Sequence, residues 1–144
     1  MQTIDDNPDR AFLERVISEE KFDIPFELTA GLSTLGARLV HGRPGAVELS
    51  FEAPVTAIQG NGVVAGGTLM TMLDYAMAFA VLSMLPCGQT CATTSITVNM
   101  QAAAKPSLLN APATVERVGR HIAFATPELH DPPREVLTAR SSHT

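Results

Sequence analysis

Cysteine is scarce in this sequence: Cys87 and Cys91 are the only two in 144 residues. That excludes a disulfide framework and sets the expectation of a reducing, cytoplasmic setting. The opening MQTIDDNPDR is acidic where a secretory leader would be basic, which supports the same expectation. Basic residues are also few, ten against fifteen acidic, for a formal net charge of -5, and they are scattered. A nucleic-acid surface needs clustered Lys and Arg, so no nucleic-acid partner is expected. His41, His121, His130 and His143 have no spacing that would complete a metal site with the cysteines, so no metal is expected. There is no internal repeat and no low-complexity segment. The sharpest scarcity is local: between Glu52 and Lys105 a single side chain carries charge, Asp74. An ionised carboxylate is costly to bury without a partner, so its position requires a reason.

What is abundant is apolar. Hydrophobic residues make up 45% of the chain and charged ones 17%, the composition of one globular domain with a generous core or an oligomer interface. The run from Val63 to Pro86 is long enough to cross a bilayer, but it holds Gly66, Gly67, two threonines and Asp74 and has no Lys or Arg flank. A central Asp costs about 2.5 to 3.5 kcal/mol on insertion scales, so no membrane span is expected. Asn7 and Pro8 begin a helix predicted over Pro8 to Glu20, with Phe12, Leu13, Val16 and Ile17 at helical spacing. Strands are predicted at Leu35 to Val40 and Ala46 to Phe51 around the turn HGRPG. Gly67 to Leu85 is apolar on every face and reads as a buried helix. Further strands are predicted at Thr93 to Gln101, Ala113 to Val118, Ile122 to Leu129 and Val136 to Arg140, with HDPPRE turning the chain into the last of these. Pro127 marks an edge position or a bulge. The expected class is α+β: an antiparallel sheet wrapped around one long apolar helix, with residues 1–30 an N-terminal helix and lead-in and residues 31–144 the domain proper.

GNGVVAGGTLMTMLDYAMAFA, a Thr-rich strand, AAKP and the hairpin VERVGRHIAFATPELHD together resemble the acyl-CoA thioesterases related to the phenylacetic-acid-degradation thioesterase, which have the hot-dog fold. The resemblance spans Gly31 to Arg140. Its most specific part is a Gly-Gly pair with an acid eight positions beyond the first Gly, met here by Gly66, Gly67 and Asp74. The pair is usually preceded by His in that family, where this chain has Ala65. An Asn or Gln commonly sits fifteen residues before the acid, here Gln59, and several members add a Ser or Thr on the strand after the helix, where Thr93, Thr94 and Ser95 are the choices. The resemblance implies thioester hydrolysis at sites shared across a dimer interface, with coenzyme A as part of the substrate and no other cofactor.

Thioester hydrolysis needs a donor for the developing oxyanion and a carboxylate that activates water or attacks directly. The backbone N–H of Gly66, at a helix start, suits the first role and Asp74 the second, with Gln59 assisting. Gly67, Asn61, Thr71, Ala78, Thr94 and Arg120 are the expected substrate contacts. Eight residues of helix span about 12 Å, so Gly66 and Asp74 of one chain cannot reach one carbonyl. Acting together they require a homodimer, or a dimer of dimers, in which antiparallel helices face each other. The Asp74 carboxylate would then lie on the partly solvated seam between subunits. Two rival readings are a non-catalytic acyl-CoA binding protein and a hydratase or dehydratase that would pair a histidine such as His121 with a carboxylate.

Overall fold

A computed structural model describes residues 5–131 and, for the backbone, 136–143. Residues 132–135, at the turn expected around HDPPRE, lie outside the described residues. Helix α1 is Pro8–Ser18, strand β1 Ile24–Pro25, helix α2 Ala30–Thr34, strand β2 Arg38–Arg43 and strand β3 Ala46–Glu52. Helix α3, Gly66–Leu82, follows a short 3-10 turn, and strands β4 Ile96–Met100, β5 Leu108–Val118, β6 Ala123–Asp131 and β7 Val136–His143 complete the chain. The strands form one antiparallel sheet in the order β1-β2-β3-β5-β6-β7-β4. This is the expected α+β architecture, with the sheet curled over one long helix.

Alternation decides which face of the sheet meets α3. Val47, Leu49 and Phe51 of β3, Leu109, Ala111 and Ala113 of β5, and Ala125 and Leu129 of β6 are buried. Alanines at three of these positions let the helix approach the sheet closely, and α3 packs on β3, β5 and β6. Its inward residues include Leu69, Met72, Leu73, Ala76 and Ala80. The opposite stripe is open: Gly67, Met70 and Thr71 are exposed, and Asp74 and Ala78 are half-buried. The sheet therefore covers one side of the helix and leaves this stripe to a neighbour, as the sequence leads one to expect.

Helix α1 begins as expected, with the Asn7 side chain accepting from Asp9 N–H and Arg10 N–H. Leu13 and Val16 join the core, and Phe12, Phe26, Phe79 and Tyr75 form a chain of ring contacts at 4.8, 4.5 and 5.8 Å. Arg10 is buried and its guanidinium bonds both carboxylate oxygens of Asp6 at 2.7 Å, Glu14 at 2.5 Å and the Leu85 carbonyl at 3.0 Å. Beside it the Asp6 carboxyl is held far below the usual carboxylate range, chiefly by these Arg10 bonds and also by Gly88 N–H.

Several expectations shift: β2 runs to Arg43, through three residues of the expected turn HGRPG, and β7 continues past Arg140 to His143. The first strand starts at Arg38 rather than Leu35, because α2 and a turn with Gly36 at φ +57° occupy the preceding residues. Helix α3 ends at Leu82, not Leu85. Strand β4 starts at Ile96, so Thr93, Thr94 and Ser95 belong to the loop before it. Strand β5 begins at Leu108, five residues before Ala113, since Leu108 to Pro112 extend the ladder with β3. Pro127 lies in an interior strand, but pairing with β7 starts at Glu128, so at Pro127 the strand has a partner on the β5 side alone and the position is locally an edge.

Candidate active site

Asp74 stands on the open stripe of α3, and the loop leading to β4 folds back beside it. Thr93 Oγ1 donates to Asp74 Oδ1 at 2.5 Å, leaving Oδ2 without a partner among the described residues. Cys91, on the same loop, has its sulfur 3.8 Å from the Ala78 carbonyl. Burial pushes the Cys91 thiol up from its ordinary range, and the negative charge of Asp74 adds to the effect. Of the three hydroxyl residues left open by the sequence, Thr93 is the one that reaches the carboxylate. Thr94, the expected contact, does not bond it.

About two turns before the acid the helix begins in an unusual way. Ala65 occupies the N-cap and offers no side-chain acceptor. Val64 N–H bonds the Ala104 carbonyl and Ala65 N–H the Ala57 carbonyl, each at 2.8 Å, which anchors the chain just upstream of α3. The N–H groups of Gly66 and Gly67, the first two of the helix, have no acceptor among the described residues. Packing does not demand glycine at either place: a Cβ on Gly66 would meet only Met100 Cε at 3.8 Å, and one on Gly67 would meet nothing within 4 Å. Since α3 runs unbroken for 17 residues, Gly66 and Asp74 lie about 12 Å apart along its axis, as expected.

Gln59 and Asn61 sit on the turn before α3. Gln59 N–H bonds the Val63 carbonyl at 2.8 Å and its carbonyl accepts from Gly62 N–H at 2.9 Å, so the backbone of this turn is held while both side chains are exposed. Thr71 is turned onto its own helix, donating to the Gly67 carbonyl at 3.0 Å.

Beyond Asp74, in the direction of the helix C-terminus, lies a cavity of about 300 Å³. Met77, Ala78, Val81 and Leu85 form one wall, Cys91, Thr93 and Thr94 a second, and the β5–β6 hairpin, with Arg120 and His121 at its tip, a third. Among the expected substrate contacts, Ala78, Thr94 and Arg120 meet here, whereas Gly67, Asn61 and Thr71 stand outside it. In the sequence Cys91 stands out no more than Cys87, and Thr93 is one of three candidate hydroxyl residues. The loop from Pro86 to Ser95 has no periodicity from which to read either. No contact joins His121 to Asp74 among the described residues, and no group of three or more His, Cys, Asp or Glu there could hold a metal ion. No helix of the described residues is long and apolar enough to cross a membrane.

Residues 61–138, more than half of the chain, match the model of the thioesterase superfamily. None of the curated proteins matches the sequence. Among solved structures, a phenylacetic acid degradation-related protein of Ralstonia eutropha is 26% identical, with a TM-score of 0.79 over 92% of this chain and 96% of that one. A thioesterase family protein of Silicibacter pomeroyi is 24% identical, with a TM-score of 0.77 over 93% and 94%. A Streptococcus mutans protein bound to acetyl-CoA is 17% identical, with a TM-score of 0.67 over 74% and 84%. The last two likenesses are of fold.

Proposed function

The chain belongs to the thioesterase superfamily, and from that premise we propose that it hydrolyses acyl-CoA thioesters to a free acid and coenzyme A, with Asp74 as the carboxylate that activates water. The observation that carries this reading is the Asp74 carboxylate itself, with one oxygen bonded by Thr93 and the other open, beside a cavity. Asp74 Oδ2 takes a proton from water as its oxygen attacks the thioester carbonyl. The oxyanion that forms accepts from the Gly66 N–H of a partner subunit, whose helix start adds its dipole to the same charge. Collapse of the intermediate breaks the C–S bond, and the proton passes to the departing coenzyme A sulfur. Gln59, on the turn before α3, would hold the water or the thioester oxygen.

The two-subunit form of the site follows from the separation of about 12 Å between Gly66 and Asp74 within one chain. Exposed apolar side chains support a homodimer that covers the open stripe: Met70 is 39% exposed, and Met100, close to Gly66, is 44% exposed. The acetyl-CoA held by the Streptococcus mutans neighbour supports a coenzyme A thioester as the substrate class. Arg120 on the hairpin is the candidate for a coenzyme A phosphate or another anion.

The test is release of free coenzyme A from a panel of straight-chain and aryl acyl-CoA thioesters, measured for the parent, Asp74→Asn and Asp74→Ala. The reading predicts turnover by the parent and a loss of at least about a hundredfold in both variants with the oligomer unchanged. Binding of acyl-CoA without release by the parent would instead favour a non-catalytic binding protein.

A further inference from the structure

Between Leu82 and Ile96 the chain runs without helix or strand, and Thr93 stands near the end of that stretch. Turn bonds hold its first part, where the N–H groups of Met84, Leu85 and Gln89 bond the carbonyls of Val81, Leu82 and Pro86. From Thr90 to Ser95 no backbone–backbone hydrogen bond is made among the described residues. The bond on which the site depends, Thr93 Oγ1 to Asp74 Oδ1, is itself open to water. One such bond contributes too little to order six residues of backbone, each of which loses conformational freedom on being fixed. Cys91 adds only a long contact, 3.8 Å, to the Ala78 carbonyl.

The start of α1 supplies the remaining ties. Asn7 uses both ends of its amide: Oδ1 accepts from Asp9 N–H at 2.8 Å and Arg10 N–H at 3.3 Å to cap the helix, and Nδ2 donates to Thr90 Oγ1 at 2.8 Å. Asp6 Oδ1 accepts from Gly88 N–H at 3.2 Å, and the buried Arg10 bonds Asp6 and donates to the Leu85 carbonyl at 3.0 Å. Thr90 is three residues from Thr93, a span of at most about 11 Å when fully extended, so where Thr90 is held limits where Thr93 can be. This anchor lies outside residues 61–138, the stretch that matches the family model. On the reading that Asp74 activates water, we propose that Asn7 is a positioning residue for the reaction: its bond to Thr90, backed by Asp6 and Arg10 at Gly88 and Leu85, keeps the loop over α3 so that Thr93 stays on Asp74.

Thr90→Val removes the acceptor and leaves the cap of α1 untouched, Asn7→Ser keeps a capping oxygen but loses the amide donor, and Thr90→Ser keeps the hydroxyl. Each is made in the Cys87→Ser chain, so that Cys91, half-buried on the loop between Thr90 and Thr93, is the one thiol left. Two quantities are measured: coenzyme A release from the acyl-CoA thioester that the parent hydrolyses fastest, and the rate at which N-ethylmaleimide alkylates Cys91, which needs no turnover. Thr90→Val and Asn7→Ser are each expected to raise alkylation at least threefold and to lower kcat about fivefold with KM little changed, the weight of one hydrogen bond. Thr90→Ser should stay within twofold of the parent in both. In a Thr93→Val background the first two changes should lower kcat by less than a further twofold, since the bond they serve is already gone. Alkylation that stays at the parent rate in both variants overturns the anchor. Faster alkylation with unchanged kcat, or losses that multiply in full with that of Thr93→Val, overturns the positioning role. A parent that releases no coenzyme A sinks the hydrolase reading instead, and the alkylation rates still decide whether Asn7 holds the loop.

Discussion

At the scale of single residues, Gly66 allows an unusually clean separation of backbone chemistry from bulk. It is the first residue of α3, where proline is well tolerated, and the preceding Ala65 has φ -60° and ψ 138°, the backbone a residue before proline prefers. Gly66→Pro therefore removes the N–H while leaving the helix start intact, and Gly66→Ala adds a Cβ that meets only Met100 Cε at 3.8 Å while keeping the N–H. If that N–H binds the oxyanion, Gly66→Pro loses about a hundredfold or more in kcat, as deletion of an oxyanion donor does. Gly66→Ala loses markedly less, and thermal melts of both stay near the parent. If Asp74 activates water, Thr93, which donates to its Oδ1, acts on the reaction through it as a positioning residue. Thr93→Val is expected to lower kcat about tenfold, the effect of about 1.4 kcal/mol of transition-state stabilisation, with KM little changed. Thr93→Ser should restore most of the loss, and failure of that rescue would assign the threonine to packing.

At the scale of elements, the link between α1 and the end of α3 carries a pH signature. The Asp6 carboxyl has its pKa lowered in the folded chain, so its contribution to stability is fully present above the unfolded value of about 3.9 and is lost as pH falls through the lower folded value. Asp6→Asn should thus melt below the parent by the same margin at pH 7 and pH 5, with the gap narrowing below about pH 4. A gap that stays constant to pH 2 would contradict the pairing with Arg10. The same elements show what could be read in advance. Helix α3 and strand β3 were legible because burial leaves its mark on the order of residues, as in the alternation of Val47, Leu49 and Phe51. Helix α2 was not, since five residues are too few for a helical period and its cap, Thr29, is an ordinary loop residue in sequence. The early start of β5 was hidden by Pro106, Ser107 and Asn110, which read as a loop until their neighbour β3 is seen to pair with that stretch. In the site, the lone charge of Asp74 and its distance from the glycine pair were legible. The choice of Thr93 over Thr94 was not, because it depends on how an aperiodic loop folds back over the helix.

At the scale of the whole molecule, the chain leaves its central helix uncovered along the stripe that bears Asp74, and the two glycine N–H groups have no acceptor among the described residues. If Gly66 and Asp74 act on one thioester carbonyl, their separation of about 12 Å within a chain requires a second copy to bring the two together. The measurement that tests this most directly is subunit complementation. Asp74→Ala and Gly66→Pro are purified separately, each with little coenzyme A release, then mixed under conditions that exchange subunits, and activity is compared with the unmixed variants. A shared site predicts that activity reappears, to about a quarter of the parent level, because half of the randomly mixed dimers are hybrids and each hybrid has one intact site. Mixed dimers that form, as seen with differently tagged subunits, and yet stay as inactive as their parents would contradict a site shared between two chains.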